Sequence, residues 1–491
     1  MKEAPGASPE ARHGREGKLF VERARRRARE SPNMAANGST WVAVCLMAGF
    51  AWTARADNGG QQAQQRPALV VLCPAAWLGE LAAYVQARRA EMDVECVAIE
   101  DAMAGEEGVD GPERLKRFLY RQWRAGHLDY ALLVGDAATF PVRWMVLDRK
   151  TEPAYNYAFY ASDLYYADLA RENGDFDDWN AQRQGFHAVY FGEVRGEHIK
   201  EPPINYDEIS YVPEIAVGRW PVETATELQA VVAKTLEWER RALAGAPRAL
   251  VVHAAGWVDV RERLGMMADE LAAAGWQVER QFYGGEKPAP TPETVKTAIL
   301  GGLEMVLHAG HGNAESWDGC LGLEEREALT AAAPAIYFSV GCGTAHFAVE
   351  PPYDPYLDTA GILHRGTNNG EVFRAEPPPP APLQPGRLNG TGLGKRLVQM
   401  PRAGAVAYIG CNTGAQPCAV SLMEGFAQSA AKGTGRLGDA WRQAITYYWK
   451  AEKLAELVPT DDWYPPSIFF QGMKFMLFGD PALSMPKGSG Q

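Results

Sequence analysis

Residues 305–317 read MVLHAGHGNAESW, and residues 336–347 read IYFSVGCGTAHF. Each stretch begins with a short apolar run, which is typical of a strand buried on both faces of a sheet. Each run then enters a glycine-bracketed loop, which places His311 after the first strand and Cys342 after the second. The sequence between them has the length of one crossover helix, so the two strands are predicted to be neighbours in a parallel sheet.

Further apolar runs of the same kind occur along the chain, and they alternate with longer segments of helical periodicity. One such segment has apolar residues at positions 228, 231, 232 and 236, which form one face of a helix. This alternation predicts an α/β fold with a mainly parallel sheet flanked by helices. The other predicted strands are residues 68–73, 94–99, 130–134, 215–217, 250–252 and 405–409.

The paired loops indicate a specific chemistry, because the carboxyl ends of neighbouring parallel strands meet at one edge of a sheet. Adjacent strands are about 5 Å apart, so Cys342 and His311 can meet in space. A thiolate is a strong nucleophile, and a nearby imidazolium lowers the thiol pKa and supplies a proton to the leaving group. Gly310 and Gly312 permit a tight turn that presents backbone N–H groups to an oxyanion.

A metal site is the competing interpretation of the same residues. The potential zinc ligands are His308, His311, Cys342 and His346. Their spacing fits no closed zinc module, and His308 is expected to point to the opposite face of its strand from its neighbours. We therefore predict no metal at the catalytic residues, a structural role for His346, and packing of Trp317 beneath the His311 loop.

The composition limits the classes of function. Among 491 residues, 49 Lys and Arg stand against 61 Asp and Glu, which gives a net charge of 49 − 61 = −12. This negative charge argues against nucleic acid as a main partner. With 46% hydrophobic and 22% charged residues, the chain has the composition of a globular protein and not of a disordered or collagen-like one.

Residues 1–56 are predicted to be a secretory signal peptide with a basic leader. Residues 1–33 hold nine Lys and Arg against five Glu, and an uncharged apolar run over 41–52 precedes Ala54-Arg55-Ala56, a pattern typical of a signal-peptidase site. A disordered basic leader with a chance apolar patch is the alternative. Because no later apolar run approaches the roughly 20 residues that cross a bilayer, the mature chain is expected to be exported, to the extracellular space or the cell envelope, without a membrane span.

The mature chain is predicted to consist of a polar linker and two α/β subdomains. The linker covers residues 57–66, the first subdomain residues 67–245, and the second, catalytic subdomain residues 246–487. A Pro-rich insertion over about residues 350–392 interrupts the second subdomain, because its run of prolines cannot continue a helix or the interior of a sheet.

The acidic segment 162–179, SDLYYADLARENGDFDDW, is a candidate site for a bound ion. Its clustered carboxylates could hold a structural calcium through oxygen ligands. They could equally form a solvated acidic loop, since their spacing matches no defined calcium motif. The predicted thiol chemistry itself requires no cofactor.

The paired His and Cys loops resemble the motifs of the gingipain-type cysteine peptidases, whose fold is caspase-like. The resemblance extends over most of the mature chain, through landmarks that occur in the family's order. These landmarks are ALLVGDAATFP at 131–141, SDLYYAD at 162–168, PEIAVGRWP at 213–221, GAVAYIG at 404–410 and FGDPALSM at 478–485. The resemblance implies a caspase-like α/β fold in two similar subdomains and the activity of a secreted cysteine endopeptidase that acts on protein or peptide substrates.

The resemblance also implies roles for individual residues. Cys342 matches the family's reactive cysteine, which forms a thioester with the acyl part of the substrate, and His311 matches the histidine between two glycines. The family's oxyanion donors are backbone N–H groups, which fall here on Gly312 and Cys342.

The sequence departs from the family's pattern after the strand at 250–252. Gly256 stands where some members have an acid that orients the histidine. The nearest acids, Asp259 and Glu262, are candidates for that orienting role or for a substrate-pocket acid. Two other activities therefore stay open: a sortase-like transpeptidase that passes the acyl group to an amine, as surface-anchoring relatives do, and a non-catalytic homologue that acts as a binding scaffold.

Overall fold

A mainly parallel sheet of ten strands forms the framework of the protein. The computed structural model describes residues 66–147, 158–179, 204–205, 208–241, 245–285, 289–374, 377–386, 388, 390–458 and 464–489. The predicted signal peptide, residues 1–56, and all but the last residue of the predicted linker lie outside these residues, so the export of the chain stays a prediction.

The strands follow the α/β order that the sequence predicts. Within the described residues they are β1 (Ala68–Cys73), β2 (Asp93–Ala98), β3 (Tyr130–Val134), β4 (Trp144–Leu147), β5 (Ala158–Ala161), β6 (Ala216–Trp220), β7 (Arg248–His253), β8 (Gln277–Phe282), β9 (Met305–Ala309), β10 (Ser316–Trp317), β11 (Leu321–Gly322), β12 (Ala335–Val340), β13 (Tyr356–Leu357), β14 (Leu363–His364), β15 (Ala405–Cys411) and β16 (Phe475–Phe478). The main sheet has the order β2-β1-β3-β6-β16-β15-β12-β9-β7-β8, and the remaining strands form three pairs.

The strand direction reverses once across the main sheet. β15 and β16 are antiparallel, with Tyr408 opposite Phe478 and Cys411 opposite Phe475, whereas the other neighbours in the main sheet are parallel. The five strands from β2 to β16 therefore run one way and the five from β15 to β8 run the other. β16 follows every other strand in the chain, yet it lies in the middle of the sheet, between β6 and β15.

Helices cover both faces of the sheet. Within the described residues they are α1 (Ala82–Arg88), α2 (Ile99–Ala104), α3 (Gly111–Arg124), α4 (Leu164–Ala167), α5 (Ala225–Arg240), α6 (Arg261–Ala273), α7 (Pro292–Leu300), α8 (Leu393–Gln399), α9 (Val420–Ala431), α10 (Leu437–Ala451) and α11 (Tyr464–Gln471). α5 begins after Thr224, whose side chain accepts a hydrogen bond from the Glu227 N–H and so caps the helix. None of the helices described is long and apolar enough to cross a membrane.

The alternation of side chains along each strand divides the hydrophobic core into two layers. Leu250 and Val252 of β7 lie in one layer with residues of α1, α5, α7 and α8, whereas Ala249 and Val251 lie in the other with residues of α3, α6, α9 and α10. Full burial of one aliphatic side chain of this kind contributes about 1.5–3 kcal/mol. The sheet is therefore stabilised from both faces, as its continuous apolar runs predict.

Buried ion pairs join sequence landmarks to distant parts of the chain. Arg219 on β6 donates hydrogen bonds of 2.7 and 2.6 Å to the carboxylate of Asp163. Asp480, just after β16, accepts a hydrogen bond of 3.1 Å from the buried Arg88 of α1. Removal of one partner of such a buried ion pair lowers the free energy of unfolding by about 3–5 kcal/mol. Stability of the fold is therefore a sufficient reason for these residues, without any role in the site.

The predicted α/β fold class is confirmed, and most strand positions agree. β1 and β3 have the predicted bounds 68–73 and 130–134. The sequence pattern does not predict β8, because the residues of Gln277–Phe282 are mostly polar and lie at the edge of the sheet. The division into subdomains at residue 245 stays a prediction.

The segment predicted as a Pro-rich insertion, about residues 350–392, packs partly into the body of the protein. It contains the β13-β14 hairpin, and its side chains Tyr356 and Gln384 are fully buried. The Gln384 N–H donates a hydrogen bond of 2.7 Å to the Ala137 carbonyl, just beyond β3. The insertion therefore links the chain after Cys342 to the first half of the sheet.

Candidate active site

His311 and Cys342 lie beyond the ends of two neighbouring strands. β9 and β12 pair in parallel, with Ala309 opposite Val340 at the last position of each strand. All residues of both strands are buried, whereas His311 is exposed and Cys342 is partly exposed. The structure thus brings the loops of both predicted catalytic residues to the same edge of the sheet, within reach of solvent.

The two loops approach each other so closely that glycine is required. A Cβ atom added to Gly312 would lie 2.7 Å from Thr344 Cγ2 and 3.3 Å from the Cys342 carbonyl oxygen. Gly343 has a φ of 64°, and its added Cβ would lie 3.3 Å from the backbone nitrogen of Ala314. These glycines therefore set the distance between the two backbones, in addition to forming the turns.

A backbone carbonyl holds the imidazole of His311. The ring atom Nε2 lies 3.1 Å from the carbonyl oxygen of Gly256, in the loop after β7. A carbonyl only accepts hydrogen bonds, so Nε2 carries the hydrogen and Nδ1 is the basic nitrogen of the neutral ring. Gly256 thus stands where the resemblance leads us to expect an orienting acid, and its main chain contacts the histidine.

The thiol of Cys342 lies against the loop that follows β15. Its Sγ accepts a hydrogen bond of 3.3 Å from the Ala415 N–H and lies 3.6 Å from the Ala415 carbonyl oxygen. The Gly343 N–H donates to the Thr413 carbonyl at 2.6 Å, which fixes the nucleophile loop to the same segment. The sulfur therefore faces one backbone donor and one backbone acceptor, both from Ala415.

The two candidate acids do not contact His311 in the described structure. Asp259 forms an ion pair with Arg261, with distances of 2.9 and 2.8 Å to its two carboxylate oxygens. Hydrogen bonding by Arg261 lowers the pKa of Asp259 to about 2. Glu262 is exposed in the first turn of α6. Their proposed roles as orienting or pocket acids stay untested.

His253, which the sequence analysis did not single out, holds the loop that carries Gly256. Its Nδ1 lies 2.7 Å from the Ala309 carbonyl oxygen at the end of β9, and its Nε2 accepts a hydrogen bond of 3.3 Å from the Val260 N–H. These two bonds require a neutral ring, and burial lowers the pKa of His253 accordingly. In the sequence, the one indication of this role is that His253 is a polar residue at the end of a buried strand, β7.

His308 is a core residue. It points to the opposite face of β9 from Leu307 and Ala309, as predicted, and its ring stacks on fully buried Trp317 at 4.4 Å between centroids. Its Nδ1 lies 2.9 Å from the Ser339 hydroxyl. The predicted packing of Trp317 beneath the His311 loop is confirmed.

The burial of His308 should make the protein sensitive to acid. Burial lowers the pKa of His308 from 6.5 to about 3. Between these values only the unfolded chain takes up the proton, so this residue's contribution to stability is complete above pH 6.5 and is lost as the pH falls, by up to about 1.4 kcal/mol per pH unit. In urea unfolding at pH 7, 6 and 5, His308→Asn should reduce the slope of the free energy of unfolding against pH. Equal slopes for the variant and the parent would contradict this prediction.

His346 is enclosed beside the Cys342 loop. Its Nδ1 lies 3.6 Å from a carboxylate oxygen of Glu350, and burial lowers the pKa of His346. A Cβ atom added to Gly390 would overlap the ring, at 1.8 Å from Nε2. This packing supports the structural role that the sequence predicts.

The described residues contain no group of three or more His, Cys, Asp and Glu side chains suited to a metal ion. In the acidic segment 162–179, Asp168 accepts hydrogen bonds of 2.9 Å from the Trp179 indole and 2.9 Å from the Tyr211 N–H. The buried ammonium of Lys116 lies 4.3 Å from the Tyr165 ring and interacts with Asp168. The Asp168 carboxylate is thus hydrogen-bonded by donors of the protein itself.

The fold and the site are compatible with one class of protein. A mainly parallel α/β sheet that carries a thiol and an imidazole beyond neighbouring strands suits the chemistry of a cysteine-type peptidase. Residues 62–486 match the sequence profile of Peptidase family C25. The chain therefore belongs to this family and is a cysteine-type peptidase, as the resemblance to the gingipain-type enzymes predicts.

Solved structures have a similar fold. The crystal structure of the Arg-specific cysteine proteinase gingipain R (RGPB) has a TM-score of 0.56 and 14% identity, with 86% of this chain and 79% of that chain covered. The complex of Porphyromonas gingivalis RgpB pro- and mature domains has a TM-score of 0.54 and 14% identity, with 85% and 79% covered. A further structure, described as a protease, has a TM-score of 0.51 and 12% identity, with 85% and 78% covered. No curated protein matches the chain.

Proposed function

We propose that the protein is an exported cysteine endopeptidase in which Cys342 is the nucleophile and His311 carries the proton. The observation that supports this most is the contact between their loops, where Gly312 packs against the Cys342 carbonyl beyond the paired strands β9 and β12. Export rests on the sequence of residues 1–56 alone.

The reaction starts when the Cys342 thiol gives its proton to Nδ1 of His311. The thiolate attacks the carbonyl carbon of a substrate peptide bond, and the carbonyl oxygen becomes an oxyanion. The C–N bond then breaks, the leaving amine takes the proton from Nδ1, and a thioester to Cys342 remains. Water attacks the thioester with His311 as its base, which releases a carboxylic acid and restores the thiol.

The backbone N–H groups of Gly312 and Cys342 are the proposed oxyanion donors. Gly312 forms an antiparallel bridge with Trp317, through hydrogen bonds that use the N–H groups of Asn313 and Asp318. Among the described residues the Gly312 N–H donates no backbone hydrogen bond, so it can serve the substrate. Two such donors stabilise the charge that develops in the transition state.

The Gly256 carbonyl takes the orienting role in this proposal. It fixes the tautomer of His311 through the 3.1 Å contact with Nε2, and His253 fixes the loop that carries it. A carbonyl has only a partial charge, so it stabilises the imidazolium less than a carboxylate does. The site is therefore a dyad whose ring is positioned by the main chain.

Digestion of a mixed peptide library, with and without an added amine such as glycinamide, tests this function. We expect internal cleavage that yields free carboxylic acids, with a sample alkylated by iodoacetamide as the inactive control. Glycinamide adducts as the main product would instead identify a transpeptidase. Absence of cleavage, together with no labelling of Cys342 by a peptide-based thiol-reactive probe, would identify a binding scaffold.

A further inference from the structure

Asn313 begins the turn that follows the His311 loop, and its side-chain amide is fully hydrogen-bonded within that turn. The amide oxygen accepts hydrogen bonds of 2.7 Å from the Glu315 N–H and 3.0 Å from the Ser316 N–H. The amide nitrogen donates hydrogen bonds of 3.0 Å to the Ser316 hydroxyl and 3.0 Å to the Asp318 carboxylate. An amide side chain has two donors and two acceptor positions, so Asn313 uses its whole capacity on this one turn.

The turn also has a defined place beside the Cys342 loop. A Cβ atom added to Gly343 would lie 3.4 Å from the carbonyl carbon of Asn313, so the two backbones are in contact. The Asn313 N–H donates a hydrogen bond of 3.0 Å to the Ser316 carbonyl, and the Leu393 N–H donates one of 2.7 Å to the Ala314 carbonyl. The backbone of the turn is therefore held at its start, and the Asn313 amide holds the remainder.

Asp318, at the end of the turn, fixes the peptide group between His311 and Gly312. The Asp318 N–H donates a hydrogen bond of 3.1 Å to the His311 carbonyl oxygen. That peptide group is planar, so its C=O and N–H point in opposite directions. The Gly312 N–H is therefore directed away from Asp318, and it donates no backbone hydrogen bond among the described residues.

The position of Asp318 depends in turn on side chains of the same segment. Its carboxylate accepts hydrogen bonds of 3.0 Å from the Asn313 amide and 3.3 Å from the Ser316 hydroxyl. The Ser316 hydroxyl itself accepts from the Asn313 amide, so both bonds to the carboxylate require Asn313. A hydrogen-bonded path thus leads from the Asn313 side chain through Asp318 to the peptide group that carries the Gly312 N–H.

We infer that Asn313 is a positioning residue: its amide holds Asp318, and Asp318 orients the Gly312 N–H towards the oxyanion. This inference rests on the proposed function, in which Gly312 is one of the two oxyanion donors. Asn313 has no assigned contact with the substrate. Its loss should weaken binding of the oxyanion and spare the reactivity of the thiol, because the Gly256 carbonyl holds the imidazole and the Ala415 backbone holds the sulfur.

The substitution Asn313→Ala removes all four side-chain hydrogen bonds of the turn. Loss of a whole oxyanion donor costs about 10²–10³-fold in kcat, so a donor that is kept but turned from its direction should cost about tenfold. We expect Asn313→Ala to lower kcat about tenfold and to leave KM within about twofold of the parent value.

Asn173→Ala is the matched control. Asn173 forms an exposed turn of the same kind in the acidic segment 162–179, where its amide donates a hydrogen bond of 2.8 Å to the Asp175 carboxylate and accepts one of 3.0 Å from the Asp175 N–H. Its replacement should change neither kcat nor KM.

Two reagents separate the oxyanion site from the thiol. A peptide aldehyde forms a hemithioacetal with Cys342 whose oxygen occupies the oxyanion site, so Asn313→Ala should weaken its inhibition about tenfold. Iodoacetamide alkylates the thiol by displacement without an oxyanion, so its rate should stay within about twofold of the parent rate. Asp318→Ala keeps the backbone N–H and removes the carboxylate that Asn313 holds, and it should reproduce both results if thermal unfolding shows that Asn313→Ala does not fold.

Unchanged aldehyde inhibition in the folded variants would overturn the inference. An equal loss of alkylation and hydrolysis would also overturn it, because the effect would then lie on the thiol and the imidazole. A parent protein that neither hydrolyses peptides nor binds the aldehyde would refute the proposed function itself, which is a different result from an active parent with an unaffected Asn313→Ala variant.

Discussion

Cys342→Ala should lower peptide hydrolysis by about 10⁴-fold or more, since the nucleophile of a covalent hydrolase carries most of its rate. Without the sulfur no thioester forms, and water must attack the peptide bond directly. The fold should persist, because the side chain is partly exposed and its hydrogen bonds with Ala415 involve sulfur, a weak donor and acceptor. Initial rates on a peptide that the parent cleaves, together with thermal unfolding of both proteins, measure the two effects.

Cys96→Ala is the matched control for this substitution. Cys96 is also partly exposed, and like Cys342 it forms no disulfide among the described residues, but it lies on β2, at the far edge of the main sheet from β12. It should retain the parent rate. Hydrolysis by folded Cys342→Ala at a rate within tenfold of the parent would exclude Cys342 as the nucleophile.

His311→Ala should lower kcat/KM by about 10³-fold, because the thiol then loses its base and the leaving amine loses its acid. The remaining activity should rise steadily with pH, since the thiolate then forms only by release of the proton to solvent. Rates from pH 5 to pH 9 for the parent and the variant test this result. The hydrolysis rate of the parent should not rise steadily over this pH range.

His127→Ala provides the comparison for a histidine outside the site. His127 is exposed after α3, in the first half of the sheet, and its replacement should leave both the rate and the pH profile unchanged. If His311→Ala keeps the pH profile of the parent, another group acts as the base and the dyad assignment is wrong.

The sequence predicts a strand correctly where the strand's own residues form a continuous apolar run. β1 and β3 are continuous apolar runs between turns, so their bounds follow from residues 68–73 and 130–134 alone. β8 is polar because it forms an edge, and its pairing depends on β7. The place of β16 in the middle of the sheet depends on packing between segments far apart in the chain, which no local pattern contains.

The same distinction applies to the candidate site. His311 and Cys342 follow apolar runs and lie between glycines, so their position at neighbouring strand ends could be predicted. His253 ends an apolar run, so its place at a strand end was the only local indication of its role. That role depends on contacts with the Ala309 carbonyl and the Val260 N–H, which the sequence does not encode locally.

The central place of β16 has a consequence during synthesis. Until residues 475–478 have left the ribosome, β6 and β15 lack the strand that joins them, and the segment after β15 lacks the Lys474 carbonyl that accepts a hydrogen bond from the Asn412 N–H. A nascent chain therefore completes its thiol site only after nearly all of the sheet has been translated.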